Sequence, residues 1–288
     1  MIEAEAPLRE RLLEYRRENW SGIQTPEWQE RIVDGLVRAD AADVLDAVGA
    51  YRPLAPGDRI LDVGCGVGSF VVGCARRGFR ALGIEPDRIG RGSRRTAIGI
   101  AACRRPGAFV AGVGEALPFP AAAFDLVVLR HVLEHVRDQG LVVREAARVL
   151  RPGGALYLAC PNYLRFWEPH YKVVWLPLLP KVAGRAYLRL RGRDPVMLGQ
   201  LTYTTSRTVA ATLRRLGPGH EVIDLNRERF AAKCRGDGTF ASRRGRLARR
   251  LAGTPGVGEW LAAGMLAAWR AVSPGLEFLV LKSGRSAR

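Results

Sequence analysis

The spacing of apolar positions divides the chain into a helical leader, an alternating middle and an irregular remainder. Residues 8–18 place Leu8, Leu12, Leu13 and Tyr15 on one side of a helix and charges on the other. Between Glu27 and Tyr51, Ile32, Leu36, Val37, Val44, Leu45 and Val48 recur at helical spacing, and Pro53 with Pro56-Gly57 ends the run. Residues 1–56 thus read as a helical cap. From Asp58 the pattern changes. Arg59–Val63, Arg80–Glu85, Phe109–Ala111, Phe124–Leu129 and Ala155–Cys160 read as strands, and Gly68–Arg77, Asp87–Cys103 and Asp138–Leu150 as the helices among them. The Phe124–Leu129 run is almost wholly apolar, as a parallel strand buried on both faces requires. Strands separated by helical crossovers predict a doubly wound, mostly parallel α/β sheet with helices on both faces.

The alternation breaks at Pro161. Residues 161–204 are rich in aromatics and prolines and read as a lid on the substrate side of a single domain spanning 57–288. Thr205–Leu216 reads as a helix, with Thr205 or Ser206 as its N-cap and Gly217 as its stop. Val222–Leu225 is a short strand, 227–272 a helical insertion, and Leu276–Lys282 a last strand that brings the sheet to seven.

Composition narrows the class. With 48% hydrophobic and 25% charged residues, the chain is an ordinary globular one. Its five cysteines (Cys65, Cys74, Cys103, Cys160 and Cys234) form no C-x-x-C pair, so neither a disulfide framework nor a zinc ribbon is expected. No signal peptide is visible at the N-terminus, and the apolar stretch Val257–Val272 carries Glu259 and Arg270, which argues against a membrane span. A cytoplasmic enzyme is expected. The formal charge of +17 is uneven: residues 161–288 hold 23 basic against 8 acidic residues. Such a half attracts an anionic partner, although an Arg-rich codon bias yields the same count.

The chemistry concentrates in Ile60-Leu-Asp62-Val-Gly64-Cys65-Gly66-Val-Gly68. A strand runs directly into a glycine-rich turn and a helix, so backbone N–H groups face a ligand at close range. The G-x-G-x-G spacing departs from the G-x-G-x-x-G of nicotinamide-dinucleotide folds. Glu85, 21 residues after Gly64, ends the next strand, where an acid can accept hydrogen bonds from both hydroxyls of a ribose. Cys65 reads as a small filler of the turn.

These residues are joined by Gly83-Ile-Glu85-Pro86-Asp87, Gly114-Glu115-Ala116-Leu-Pro-Phe119, Phe124-Asp125, His131-Val-Leu-Glu134-His135 and Leu150-Arg-Pro-Gly-Gly154. Across roughly 57–162 the series resembles, in order and spacing, the motifs of class I S-adenosylmethionine-dependent methyltransferases, most closely their type 11 small-molecule branch. The resemblance implies a Rossmann-like fold and S-adenosyl-L-methionine as cofactor. It places Gly64, Cys65, Gly66 and Gly68 on the methionine and ribose portion, Asp62 on the methionine amino group, Glu85 and Pro86 at the ribose, and Gly114, Glu115 and Ala116 at the adenine. It puts Arg130 and His131 near the reacting methyl. Two departures stand out. Val113 occupies a position where many relatives carry an Asp toward the adenine, and Arg130 is large for its place.

Methyl transfer to a hydroxyl needs a proton acceptor, and His131 and His170 are the candidates. No metal site is expected. The acceptor implied is a small molecule or a lipid- or glycan-linked one, methylated at oxygen. Glu134 reads as a structural partner at a helix start. Aromatic residues Tyr163, Phe166, Trp167, Tyr171, Trp175 and Tyr187 lie among Lys172, Lys181, Arg185, Arg189, Arg191 and Arg193. They suit an acceptor pocket, or peripheral contact with an anionic membrane through Val174, Trp175, Leu176, Leu178 and Leu179. RNA held by Arg214-Arg215 and the 243–250 arginines is a weaker alternative, because no RNA-binding module is present. A protein that binds the cofactor without turnover is the alternative outside enzymes.

Overall fold

The computed structural model describes residues 6–38, 40–86, 108–235, 273 and 275–284. The helix expected over Asp87–Cys103, and most of the 227–272 insertion with Trp260 and Trp269, lie outside the described residues.

Seven strands form one sheet. They are β1 (Arg59–Val63), β2 (Arg80–Glu85), β3 (Phe109–Ala111), β4 (Phe124–Arg130), β5 (Leu150–Pro161), β8 (His220–Asp224) and β9 (Gly275–Lys282), in the order β3-β2-β1-β4-β5-β9-β8. Every pairing from β3 to β5 is parallel, and β9 runs antiparallel to both of its neighbours. The doubly wound sheet expected from the sequence is present. The chain passes from β1 outward to β3 and then returns to β4, so the strand order reverses between β1 and β4. In such sheets that switch point opens a crevice beyond the C-terminal strand ends.

Alternating side chains of the central strands feed two cores. Leu61, Val63, Val127 and Leu129 face α5 (Gln139–Val149) and α7 (Ser206–Arg214) through Val142, Val143, Ala146, Val209 and Leu213. Ile60, Leu126 and Val128 face α3 (Ala42–Gly49) and α4 (Ser69–Arg76) through Val44, Leu45, Val48, Phe70 and Val71. The seven strand residues named are each 2% exposed or less. The far end of β4 is fixed by charge: buried Asp125 accepts from the Arg59 N–H and pairs with Arg52 and Arg151.

The leader is helical, but the expected run from Glu27 to Tyr51 is two helices, α2 (Pro26–Arg38) and α3. Asp40 separates them by accepting from the Ala42 N–H at 2.9 Å and from Arg77 at 2.8 Å. An acid that binds its own backbone two residues on offers the chain a turn instead of a further helical turn. α1 (Ala6–Trp20) packs Leu12, Leu13 and Tyr15 on Val33 and Val37 of α2, with Val67 of the glycine turn leaning on that cluster.

The 161–204 insertion is built from the hairpin β6 (Trp167–Glu168) and β7 (Val173–Val174), helix α6 (Lys181–Leu190) and a 3₁₀ turn, Pro195–Gln200. It has its own small core of Tyr171, Val173, Trp175, Leu188, Leu198 and Leu201, joined by Ile23 of the leader. Trp175 is 1% exposed, and a Cβ added at Gly184 would stand 2.7 Å from its ring. This corrects part of the membrane expectation: Trp175 and Leu179 belong to the core of the insertion, whereas Val174, Leu176 and Leu178 face solvent. Tyr163 and Tyr171 are also buried packing residues. After the insertion, Thr205 caps α7 by accepting from the Thr208 N–H, and Thr208 returns the bond. α8 (Leu225–Arg235) follows β8 directly.

Candidate functional site

The glycine turn sits at the C-terminal end of β1, inside the crevice. Gly64, Gly66 and Gly68 have φ values of +68°, +56° and +78°. L-residues other than Gly pay to adopt this left-handed region, so the sequence pattern here is a backbone requirement. Gly64 and Cys65 donate their N–H groups to the Ile84 carbonyl and seat the turn on β2. A Cβ at Gly64 would stand 2.7 Å from Val132 Cγ2, whereas one at Gly66 would meet nothing within 4 Å. Gly64 is therefore needed for packing, and Gly66 presents bare backbone to open space. Cys65 is buried, and a Cβ added at Gly83 would lie 2.6 Å from its sulfur. It fills the gap under β2, as the filler reading has it.

Glu85 ends β2 beside this turn. Its Oε2 accepts from the Gly66 N–H at 2.9 Å, and the side chain is 7% exposed. Pro86 follows it, half-buried. Asp62 lies one strand over, opposite Gly83 in register and 3% exposed. Burial lifts its carboxyl to about 7; Arg130 pulls it down and Glu85 pushes it up. Arg130, at the end of β4, lays its guanidinium 4.6 Å from the centre of the Phe70 ring, and its Nε is buried without a hydrogen-bond partner. Its size is accommodated by this stacking.

Gly114, Glu115 and Ala116 lie in a tight turn closed by a bridge between Val113 and Ala116. A Cβ at Gly114 would press on Val63 and Val142 at 3.2–3.3 Å. Glu115 accepts from the Arg137 N–H at 3.3 Å, which ties this turn to the segment after β4, and Val113 is exposed.

Two of the chain's four histidines were expected near the chemistry, and a third joins them. His131 stands just beyond β4 with φ +57°, its N–H bonded to the Ala159 carbonyl at 2.8 Å. Its side chain is 67% exposed, with Nδ1 3.4 Å from Oε1 of Glu134. Glu134 is fully buried, yet neither carboxylate oxygen takes a hydrogen bond. It lies in a turn, not at a helix start, fixed by its carbonyl accepting from the Thr202 N–H at 2.7 Å. His170 reaches the same place from the insertion. Its Nδ1 is 2.8 Å from Oε1 of buried Glu168. The other Glu168 oxygen accepts from the Tyr171 N–H at 2.6 Å, and Tyr163 Oη is 3.4 Å from both Glu168 and His170. Burial, and then the Glu168 charge, push the Tyr163 hydroxyl far above its ordinary range. The His135 and His170 rings meet edge to face with centroids 5.1 Å apart. Among the described residues, a ligating atom from each of Glu134, His135 and His170 lies within 4.8 Å of the others.

The leader completes this region. Gln24 donates to the His170 carbonyl and accepts from Arg16, each at 2.6 Å. The sequence offered no sign of these long-range contacts. It did contain Glu134-His135 and Glu168-Pro-His170, whose short spacings were the available signal for a shared site.

Residues 61–158 match the family model described as a methyltransferase domain. A protein of Mycobacterium sp. (strain JLS) named an uncharacterized methyltransferase is 34% identical over 166 residues, 57% of this chain and 64% of that protein. The 2-methyl-6-phytyl-1,4-hydroquinone methyltransferase of Synechocystis sp. is 32% identical over 154 residues, 50% of this chain and 46% of that protein. The chain thus spans less than two thirds of the length of these curated relatives. Among solved structures, an S-adenosylmethionine-dependent methyltransferase from Thermotoga maritima covers 73% of this chain and 82% of its own, with 21% identity and a TM-score of 0.45.

Proposed function

We propose, from the premise that residues 61–158 form a methyltransferase domain, that the chain transfers the methyl group of S-adenosylmethionine to a small-molecule acceptor. The observation that carries this reading is the pairing of a three-glycine left-handed turn with the buried carboxylate of Glu85, at the switch point of the sheet. Those residues fit the cofactor. The Gly66 side of the turn is open, the Glu85 carboxylate stands where it can accept from ribose hydroxyls, and Asp62 offers an acid to a methionine ammonium.

When bound there, S-adenosylmethionine supplies an electrophilic methyl on a sulfonium. The chain has to hold an acceptor in line with it, and such positioning contributes several kcal/mol, about 7 or more in well-oriented systems. Of the two candidate bases, His131 suits proton removal. It stands exposed beyond β4, with its Nδ1 3.4 Å from the buried Glu134 carboxylate. His170 is held inside by Glu168 and serves to position the acceptor side of the site. A relative named for a phytyl hydroquinone favours an acceptor that carries a hydroxyl and an apolar tail. The test is calorimetric titration with S-adenosylmethionine and S-adenosylhomocysteine, followed by a labelled methyl donor with cell extracts. Absence of binding by both nucleosides would overturn the reading.

A second reading concerns where the acceptor is met. Helix α6 buries Gly184 and Leu188 but leaves Val182 and Leu190 at 83% and 85% exposure. They align at i and i+8 with Ala186 between them, beside Lys181, Arg185 and Arg189. Val174, Leu176 and Leu178 of the preceding segment are exposed as well. An apolar stripe edged by cations suits peripheral docking on anionic lipid, with each nearby Lys or Arg contributing about 1 kcal/mol. No described helix is long and apolar enough to cross a membrane.

A further inference from the structure

We infer that Glu134, His135 and His170 form a binding site for a first-row divalent transition-metal ion. Three observations converge on it. The first is the ligand set. Two imidazoles and a carboxylate bring their ligating atoms within 4.8 Å of one another. A zinc-like ion with bonds of about 2.1 Å needs neighbouring ligands roughly 3.4 Å apart, and a small rotation of the exposed His135 ring would close that difference. The second is the state of Glu134. A fully buried carboxylate whose oxygens take no hydrogen bond is expensive, because it has surrendered water and gained little in return. His131 approaches one oxygen only at 3.4 Å. A dication would compensate that charge.

The third observation is the support behind His170. Its Nδ1 is engaged by Glu168 at 2.8 Å, which leaves Nε2 for a ligand. Glu168 is in turn fixed by the Tyr171 N–H and approached by the Tyr163 hydroxyl. A carboxylate that orients a histidine and raises its basicity is the usual outer partner of a metal-bound imidazole. The exposed face of His135 supplies an entry path.

Two His and one Glu leave coordination positions open, the pattern of sites that work on a substrate or water and not of closed structural sites. Resting on the methyl-transfer reading, an acceptor hydroxyl oxygen would occupy one open position. The ion would lower its pKa, the O–H proton would pass to His131, and the oxygen lone pair would form the new O–CH3 bond as the C–S bond breaks toward sulfur. The metal site itself does not depend on that reading.

The test is titration of the full-length, chelator-treated protein with Co2+ and Zn2+, read by the visible absorption of bound Co2+ and by calorimetry. One equivalent is expected, with bands of nitrogen and oxygen ligation and no thiolate charge-transfer band. His135→Ala, at an exposed position, and Glu134→Gln should each weaken Co2+ binding at least tenfold. The shift in Tm with S-adenosylmethionine is measured in parallel on each variant, so that loss of the cofactor site and loss of the metal site are read separately. No saturable Co2+ binding, a thiolate-type spectrum, or unchanged affinity in His135→Ala would overturn the assignment. Glu134→Gln confirms or contradicts it only if its unliganded Tm shows a folded protein; His135→Ala decides otherwise.

Discussion

The Gly66 N–H points at Glu85 Oε2 from 2.9 Å away, so the carboxylate holds the glycine turn in shape before any ligand arrives. A charge-assisted bond of this kind is worth about 1.5–3 kcal/mol when it is buried. Replacing Glu85 with Ala should therefore loosen the turn and remove the ribose acceptor together. The expected outcome is loss of the Tm shift with S-adenosylmethionine, with the far-UV circular dichroism retained. Glu85→Gln keeps one acceptor oxygen and should retain weak binding.

Gly64 and Gly66 should fail for different reasons. Both have positive φ, which costs an L-residue roughly 1–2 kcal/mol. Gly64→Ala also drives its Cβ into Val132, adding overpacking of about 1–3 kcal/mol. Gly66→Ala meets no protein atom and should keep most of its stability while losing cofactor affinity. Chemical denaturation and cofactor titration on the pair separate the two effects. A larger stability loss at Gly66 than at Gly64 contradicts the geometry.

Asp62 provides a pH signature. Burial holds its carboxyl at about 7, against 3.8 as its ordinary value. Between these values the folded protein keeps a proton that the unfolded chain has released. Its contribution to stability therefore falls as pH rises from about 4 to 7 and is level above. An ammonium brought beside Asp62 favours the ionised form, so affinity for S-adenosylmethionine should rise with pH up to about 7 and then flatten. Asp62→Asn should flatten both profiles. A wild-type affinity independent of pH from 5 to 8 would count against the contact.

The exposed stripe on α6 makes a separate prediction. Val182→Glu with Leu190→Glu should abolish cosedimentation with anionic vesicles and leave Tm within about 2 °C, because neither side chain packs in the core. Equal pelleting of wild type and variant would remove the docking surface.

Much of the fold was legible in the order of residues because it rests on local rules. Period-2 and period-3.6 patterns, a run of buried strand residues from Phe124, and glycines at 64, 66 and 68 act within a few residues of themselves. Helix caps do too, as Thr205 illustrates with its bond to Thr208. The glycine turn and Glu85 are 21 residues apart, but the β-α-β crossover between them has a fixed hand, so their meeting was also foreseeable. The break at Asp40 was less so, since a single short-range bond overrode the helical spacing on either side.

Only the tertiary structure decided what the insertion does. Trp175 and Val174 are adjacent and both apolar, yet one is 1% and the other 64% exposed, because Gly184 on a later helix opens a slot for the indole alone. Likewise Glu134 and His135 are neighbours, and His170 lies 35 residues on. Nothing in their spacing states that the hairpin after β5 folds back over the end of β4. That approach depends on the Thr202 bond to Glu134 and the Gln24 bond from the leader to His170, each made between segments whose separation carries no periodic signal. The glycine turn could be read because backbone geometry dictates its residues. The cluster around Glu134 could not, because it is made by side chains that only packing brings together.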